Sequence, residues 1–212
     1  MIIFNGKNTK DFDLYIATRE QPPAQRKVIT ETVPHMSGLW DFSYHDGIDE
    51  YEPVKLKYTF DVIADSKQEL KALRGDLIAW IHSKGENKLI DTDISETAYY
   101  IVYHAQASWA EEGLQGLLTA EFTCYPFMKT EYETITMAVT EAEQTINIMI
   151  EGSRPISPII TLTEATQIKY GTNSYALSAG TYNNVLMLNT GANVLKVSGS
   201  GTLTLKYWAE VL

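Results

Sequence analysis

One stretch, Ser66–Gly85 (SKQELKALRGDLIAWIHSKG), carries helical periodicity in a chain that otherwise reads as strands. Leu70, Leu73, Leu77 and Trp80/Ile81 recur at the spacing that makes a single apolar stripe. Ser66 followed by Glu69 forms a capping box, in which the hydroxyl takes an orphan N–H and the carboxylate reaches back. Gly85 stands where a left-handed residue would end the helix. A lone helix with one apolar face has to lie on something, and the flanking strands supply a sheet. By itself the helix carries no chemistry.

The cleanest strand runs directly into this helix. Val54, Leu56, Tyr58, Phe60 and Val62 line one face, and Lys55, Lys57, Thr59 and Asp61 line the other. Residues 39–62 together read as a hairpin with its turn near Asp46-Gly47. Residues 2–16 read as strand, turn and strand around Asn5-Gly6, where both residues tolerate positive φ. Between these hairpins, residues 19–38 are broken by Pro22, Pro23, Pro34 and Gly38 and read as a long extended arm. After the helix come a short strand at Lys88–Ile90 and an interior strand at Tyr99–His104, apolar on both faces. Leu117–Tyr125 alternates again, with Leu118, Ala120, Phe122 and Cys124 facing inward, and Pro126 ends it.

Beyond residue 130 charge thins out, and Thr, Asn, Ser and Gly take over. Apolar alternation at 135–139, 146–150, 160–162, 185–188, 195–197 and 203–207 is separated by turn residues at near-regular intervals. That pattern predicts an all-β sandwich or jelly roll. The expected architecture is therefore mainly β in two parts, residues 1–132 and 133–212, with a hinge within Met128–Thr134.

A net charge of −10 argues against nucleic acid as an affinity partner, because such binding needs Lys and Arg to displace counterions. Cys124 is the single cysteine, so no internal disulfide forms, and its place on an inward face reads as core rather than nucleophile. No signal peptide is visible and no apolar run approaches a membrane span, which predicts synthesis in a cytoplasm and no membrane insertion. His35, His45, His82 and His104 are scattered without metal-ligand spacing. Asp46, Asp49, Glu50 and Glu52 lack the alternation of a calcium loop and read as a solvated turn. Nothing brings Asp91/Asp93 and Glu111/Glu112 together as acid and base. Gly199-Ser200-Gly201 reads as a tight turn between strands, not a phosphate loop. No catalytic residue, metal or cofactor is expected. Trp208 shares its phase with Thr202, Thr204 and Lys206, which points the indole toward solvent, where it could stack on a sugar; Tyr182 is a second such platform.

Read in order, several segments resemble one family. FNGKNTKDFDLYI resembles its opening hairpin, and VPHMSGLWDFS (33–43) its Val-Pro…Gly…Asp-Phe-Ser segment. KLKYTFDV, the helix, KLIDTD and the Tyr-rich strand follow the family order. TAEFTCYPFMK resembles the close of its N-terminal domain, and GSRPISPIITL and LKVSGSGTLTLKYW resemble pieces of its C-terminal one. The family is the distal tail protein of long-tailed, non-contractile phages that infect Gram-positive bacteria. His35-Met36 departs from it, standing where the family often has Gly and a basic residue. The resemblance implies an N-terminal β-sandwich with one packed helix that assembles six to a ring, singly or as two rings back to back. It implies a galectin-like or carbohydrate-module-like sandwich on the outside of the ring. The ring would be the structural hub of the virion tail tip, joining the tail tube protein to the tip or tail-associated protein and leaving a channel for DNA. Val28, Ile29, Val33, Pro34 and Met36 of the arm are the candidate ring-interface residues. The alternative is a baseplate component that binds host-surface saccharide through the second domain, with Trp208 or Tyr182 as platform.

Overall fold

The computed structural model describes residues 1–45 and 48–211, so the turn expected at Asp46-Gly47 lies outside the described residues. The fold is mainly β with one α-helix, and it divides into two compact units, Met1–Met128 and Lys129–Leu212.

In the first unit the strands run in the order Lys7–Asn8, Ile2–Phe4, Lys88–Asp91, Ala98–Glu112, Gln115–Cys124, Val54–Ile63, Tyr15–Glu20. Each neighbouring pair is antiparallel. The opening turn uses the expected residues, with Asn5 at φ 48 and Gly6 at φ 79. A short 3-10 turn, Thr9–Phe12, then precedes the strand Tyr15–Glu20. Val54, Leu56, Tyr58, Phe60 and Val62 are all buried, and so are Leu118, Ala120, Phe122 and Cys124. Period-2 alternation thus identified both inward faces. The Tyr-rich strand is longer than its apolar part, 15 residues from Ala98 to Glu112, with a register shift between Val102 and His104. Its second half packs Ala105, Ala107 and Trp109 toward the core, and two of those side chains are too small to give a clear apolar signal.

The helix spans Lys67–Ile81 with Ser66 as N-cap, and the Glu69 N–H donates to the Ser66 hydroxyl at 3.2 Å. The Glu69 carboxylate accepts from the Asp65 N–H at 2.8 Å, one residue upstream of the cap, so the reciprocal half of the box is displaced. Leu70, Leu77, Trp80 and Ile81 are buried, while Leu73 is only partly so. The Trp80 indole N–H donates to the Phe4 carbonyl at 2.9 Å, which ties the helix to the first strand and satisfies the buried donor. Gly85 does not end the helix. His82 does, at φ −90 and ψ 5. A Cβ at Gly85 would lie 2.7 Å from the Asn5 side chain. That side chain donates to the Ser83 carbonyl at 2.9 Å and accepts from the Asn87 N–H at 2.9 Å. The glycine therefore makes room for a tertiary contact.

The second unit holds two four-stranded sheets. One runs Glu133–Ala138, Thr202–Tyr207, Ile159–Leu162, Gly180–Tyr182; the other runs Gln144–Ile150, Gly191–Gly199, Thr166–Tyr170, Asn173–Leu177. Ile160, Leu162, Leu203 and Leu205 of the first and Ile148, Ile168, Leu195 and Val197 of the second form one buried core, which makes this a β-sandwich. Residues 185–188 are not a strand; only the bridge between Ile156 and Leu188 survives there. Thr166–Tyr170, Asn173–Leu177 and Gly180–Tyr182 take its place in the sheets, and they are short and polar on one face, which hid them in the sequence. Gly199 and Gly201 make the expected turn at φ 145 and φ 82, and a Cβ on Gly199 would sit 2.6 Å from the Ala165 carbonyl.

Candidate functional site

The most unusual feature of the first unit is a two-stranded ribbon that leaves the sheet after Glu20. Near its base Arg26 bridges Tyr51, the Lys27 N–H donates to the Glu50 carbonyl at 2.8 Å, and the Glu52 N–H donates to the Gln25 carbonyl at 2.8 Å. Farther out Thr30 pairs with Asp41 and Glu31 with Trp40. The two blocks are offset because Tyr44–His45 and Ile48–Asp49 fold out as a hairpin of their own. This corrects the hairpin expected over 39–62. Trp40–Asp41 turns back on Thr30–Glu31, whereas Val54–Ile63 pairs with Gln115–Cys124 and Tyr15–Glu20. It also trims the arm expected at 19–38, since Arg19 and Glu20 belong to the sheet and the return limb runs on to Glu52.

Local bonds shape the ribbon. The Ile29 N–H donates to the Ser43 hydroxyl at 2.6 Å, and the Ser43 N–H donates to Asp41 at 2.8 Å. The Ser43 hydrogen bonds hold the Asp41 carboxyl below its usual range. At the tip the Met36 N–H closes onto the Val33 carbonyl at 3.2 Å, with His35 at φ 66 and Gly38 at φ 92. At the base Tyr51 sits edge-on to Phe127 at 5.0 Å. All five sequence candidates, Val28, Ile29, Val33, Pro34 and Met36, are exposed, Val28 at 70%. Leu39, Trp40 and Phe42 on the return limb are exposed too. In sequence the segment 39–62 reads as a sheet hairpin, which hides these three as arm residues. Two strands alone are marginal in water.

The strand order ends at Lys7–Asn8 on one side and at Tyr15–Glu20 on the other. Lys88–Asp91 pairs with Ala98–Glu112 at Tyr100 and Ile101, so it does not extend along the far half of that strand; Met128–Thr130 also pairs with Ala98–Glu112. On the far side of the four strands Ala98–Glu112, Gln115–Cys124, Val54–Ile63 and Tyr15–Glu20, the last ends the order.

The remaining candidates sit in structural settings. Asp91 is buried and meets the Arg19 guanidinium at 3.2 Å, and Arg19 also pairs with Asp93. The α-amino group, 3.2 Å away, and Arg19 hold the Asp93 carboxyl below its usual range. Asp91 lies level with Ala98, thirteen residues along the strand from Glu111, roughly 40 Å at strand rise, so these carboxylates do not converge. Burial pushes the Cys124 thiol up to about 12, far from a nucleophile. Among the described residues no three His, Cys, Asp or Glu side chains group as metal ligands, and no helix is long and apolar enough to cross a membrane. In the second unit Trp208 is half-buried. Tyr132 is edge-on to its ring at 5.4 Å, the Lys129 ammonium lies over it at 4.9 Å, and its N–H donates to Glu210 at 3.3 Å. Tyr182 stands level with Ile160 and packs on the core, with its hydroxyl donating to the Ser178 carbonyl at 3.0 Å.

No protein-family model matches the chain, and no curated protein matches it in sequence. Solved structures do. The chain shares the fold of the Dit protein of phage SPP1, described as a paradigm of the hub adsorption apparatus in phages infecting Gram-positive bacteria. The TM-score is 0.65 at 12% identity, over 98% of each chain. A second similar structure is the phage P2 baseplate in its activated conformation with Ca, at TM-score 0.44 and 9% identity, over 94% of this chain and 92% of that one.

Proposed function

We propose that this chain is a structural hub subunit of a phage tail tip, six copies of which close into a ring that joins the tail tube to the tip and leaves a channel for DNA. The observation that carries the reading is the fold shared with SPP1 Dit over 98% of both chains, helix and second sandwich included. The geometry of the first unit supports it. A ring needs one surface on each copy to meet a different surface on the next. The far half of Ala98–Glu112, which Lys88–Asp91 does not reach, and Tyr15–Glu20, which ends the strand order, would be two such surfaces on opposite sides of one sheet. The exposed apolar ribbon supplies a third contact that reaches beyond the sheet. The carboxylate, thiol and histidine candidates, with no catalytic constellation among the described residues, favour a structural part over an enzyme. Saccharide binding is the weaker reading, because it asks Trp208 or Tyr182 for a free ring face.

Mass photometry from nanomolar to micromolar protein tests the proposal. Six copies, or twelve as two rings back to back, is the expected result, and negative-stain images should show a central hole. A monomer that persists at high micromolar concentration, even with tube or tip protein added, overturns it.

A further inference from the structure

The helix carries a charge pattern that neither its packing nor the proposed hub role uses. Lys67, Lys71 and Arg74 recur at i, i+4 and i+7, which stacks them in one exposed stripe. Glu69 and Asp76 fall on the other flank of the buried face. None of the three cations is ion-paired among the described residues. By contrast Lys27, Lys55, Lys57, Lys169 and Lys196 each meet a carboxylate, while exposed Lys10, Lys84 and Lys206 stand apart from one another in sequence and do not form a stripe. The stripe lines a cleft of 360 Å³ together with Leu70, Glu111 and Gly113. Glu111 accepts the Trp109 indole N–H at 3.0 Å and is the one carboxylate lining the cleft. Beside it, the exposed Leu114 and Ile63 are tied together by the Ala64 N–H donating to the Leu114 carbonyl at 3.2 Å.

The complementary surface is on the same chain. Between Lys27 and Lys55 there is no Lys or Arg, while Glu31, Asp41, Asp46, Asp49, Glu50 and Glu52 all fall there. The outer ribbon therefore presents Glu31 and Asp41 among exposed Val33, Met36, Leu39 and Trp40. Ribbon and stripe are both exposed, so the ribbon does not lie on its own helix. From the bridge at Arg26 to the tip at His35 the ribbon spans nine residues, roughly 30 Å when extended, enough to pass onto a neighbour.

We propose that the ribbon of one copy docks on the helix of the next, setting Glu31 and Asp41 against Lys67, Lys71 and Arg74 and the ribbon's apolar side chains against Leu114 and Ile63. This rests on the ring reading and names the acceptor of its arm. A second copy fits better than a small anion because charge and apolar surface match together. Apolar burial supplies affinity and the charges fix register.

The test mixes 15N-labelled and unlabelled full-length protein, assembles it, and treats it with a zero-length carbodiimide that joins carboxylate to amine. Mass spectrometry should find Glu31 or Asp41 linked to Lys67 or Lys71 between isotopically different chains. Reversing the stripe with Lys71→Glu and Arg74→Glu should raise the assembly midpoint at least about tenfold. Adding Glu31→Lys should recover most of that loss. Asp41 is left alone because it accepts the Ser43 N–H. Both stripe positions are exposed, so an unchanged thermal melt of the monomer checks that the reversal leaves the fold intact. A ring that forms without these links, or is indifferent to the reversal, overturns the docking while leaving the hub reading in place. Wild-type protein that never assembles, even with tube or tip protein added, overturns both.

Discussion

Leu77 and Leu73 share the helix stripe but differ in burial, Leu77 being fully enclosed and Leu73 only partly so. Leu77→Ala should therefore cost about 2–5 kcal/mol, and Leu73→Ala distinctly less, because a partly open site collapses or fills with water. Ser66→Ala should cost about 1 kcal/mol through the lost cap. Denaturant melts will rank the three, and a Leu73 cost above the Leu77 cost would contradict the observed packing. Glu143 gives a pH-dependent case. Hydrogen bonds from Lys196 and Lys169, both at 2.9 Å, draw its carboxyl down to about 2 from a usual 4.5. A depressed carboxylate stabilises the fold above its unfolded value and loses that contribution as pH falls through the folded one. Glu143→Gln should lower Tm near neutral pH, and the gap should close between about pH 4.5 and 2. A constant gap would mean the amide disturbs packing instead. Individual inward residues were legible because burial repeats at the period of the element. Gly85 was misread because its reason, the Asn5 side chain, lies eighty residues away in sequence and leaves no local signal.

Elements were legible in proportion to the contrast between their two faces. Val54–Ile63 and Gln115–Cys124 alternate fully and were placed with their inward sets intact. The far half of Ala98–Glu112 and three short strands of the sandwich were not, because Ala, Thr and Ser give little contrast. The ribbon was half legible. Prolines marked its outgoing limb, but the return limb pairs through two offset blocks that no local period encodes. Its exposed apolar residues were found on one limb only for that reason. Replacing residues 28–43 with a short Gly-Ser turn tests the ribbon as an element. The sheet should keep its Tm, since the contact between Tyr51 and Phe127 lies below the cut. Assembly should weaken at least about tenfold if the ribbon contributes even one buried anchor. A large drop in Tm would make the ribbon part of the fold, and unchanged assembly would leave the sheet edges as sufficient for closure.

At the scale of the whole molecule the two units allow a subtraction. Each has its own buried core, and both sheet surfaces, the ribbon and the helix stripe belong to Met1–Met128. A chain ending after residue 130 should therefore still assemble with the same copy number, which mass photometry can count. Six copies of the full chain carry a formal 6 × −10 = −60. The solvent face of the four-stranded sheet has cations, but Lys57 meets Glu20 at 2.8 Å and Lys55 meets Glu121 at 3.8 Å. The row between them and the turn end holds Ser108, Thr119, Thr59 and Thr18, all uncharged. Duplex binding draws its affinity from counterions released by free Lys and Arg, and this face offers none that is unpaired. Away from this face the helix stripe groups three cations, which in the assembled protein the acidic ribbon would cover, while exposed Lys10, Lys84 and Lys206 are scattered singly. Assembled wild-type protein should then show no duplex binding at about 50 mM salt, where such binding is strongest. A salt-sensitive complex formed by the wild type but abolished by Lys71→Glu and Arg74→Glu would mean the stripe stays open in the ring. One insensitive to those changes would mean a basic surface elsewhere that the net charge conceals.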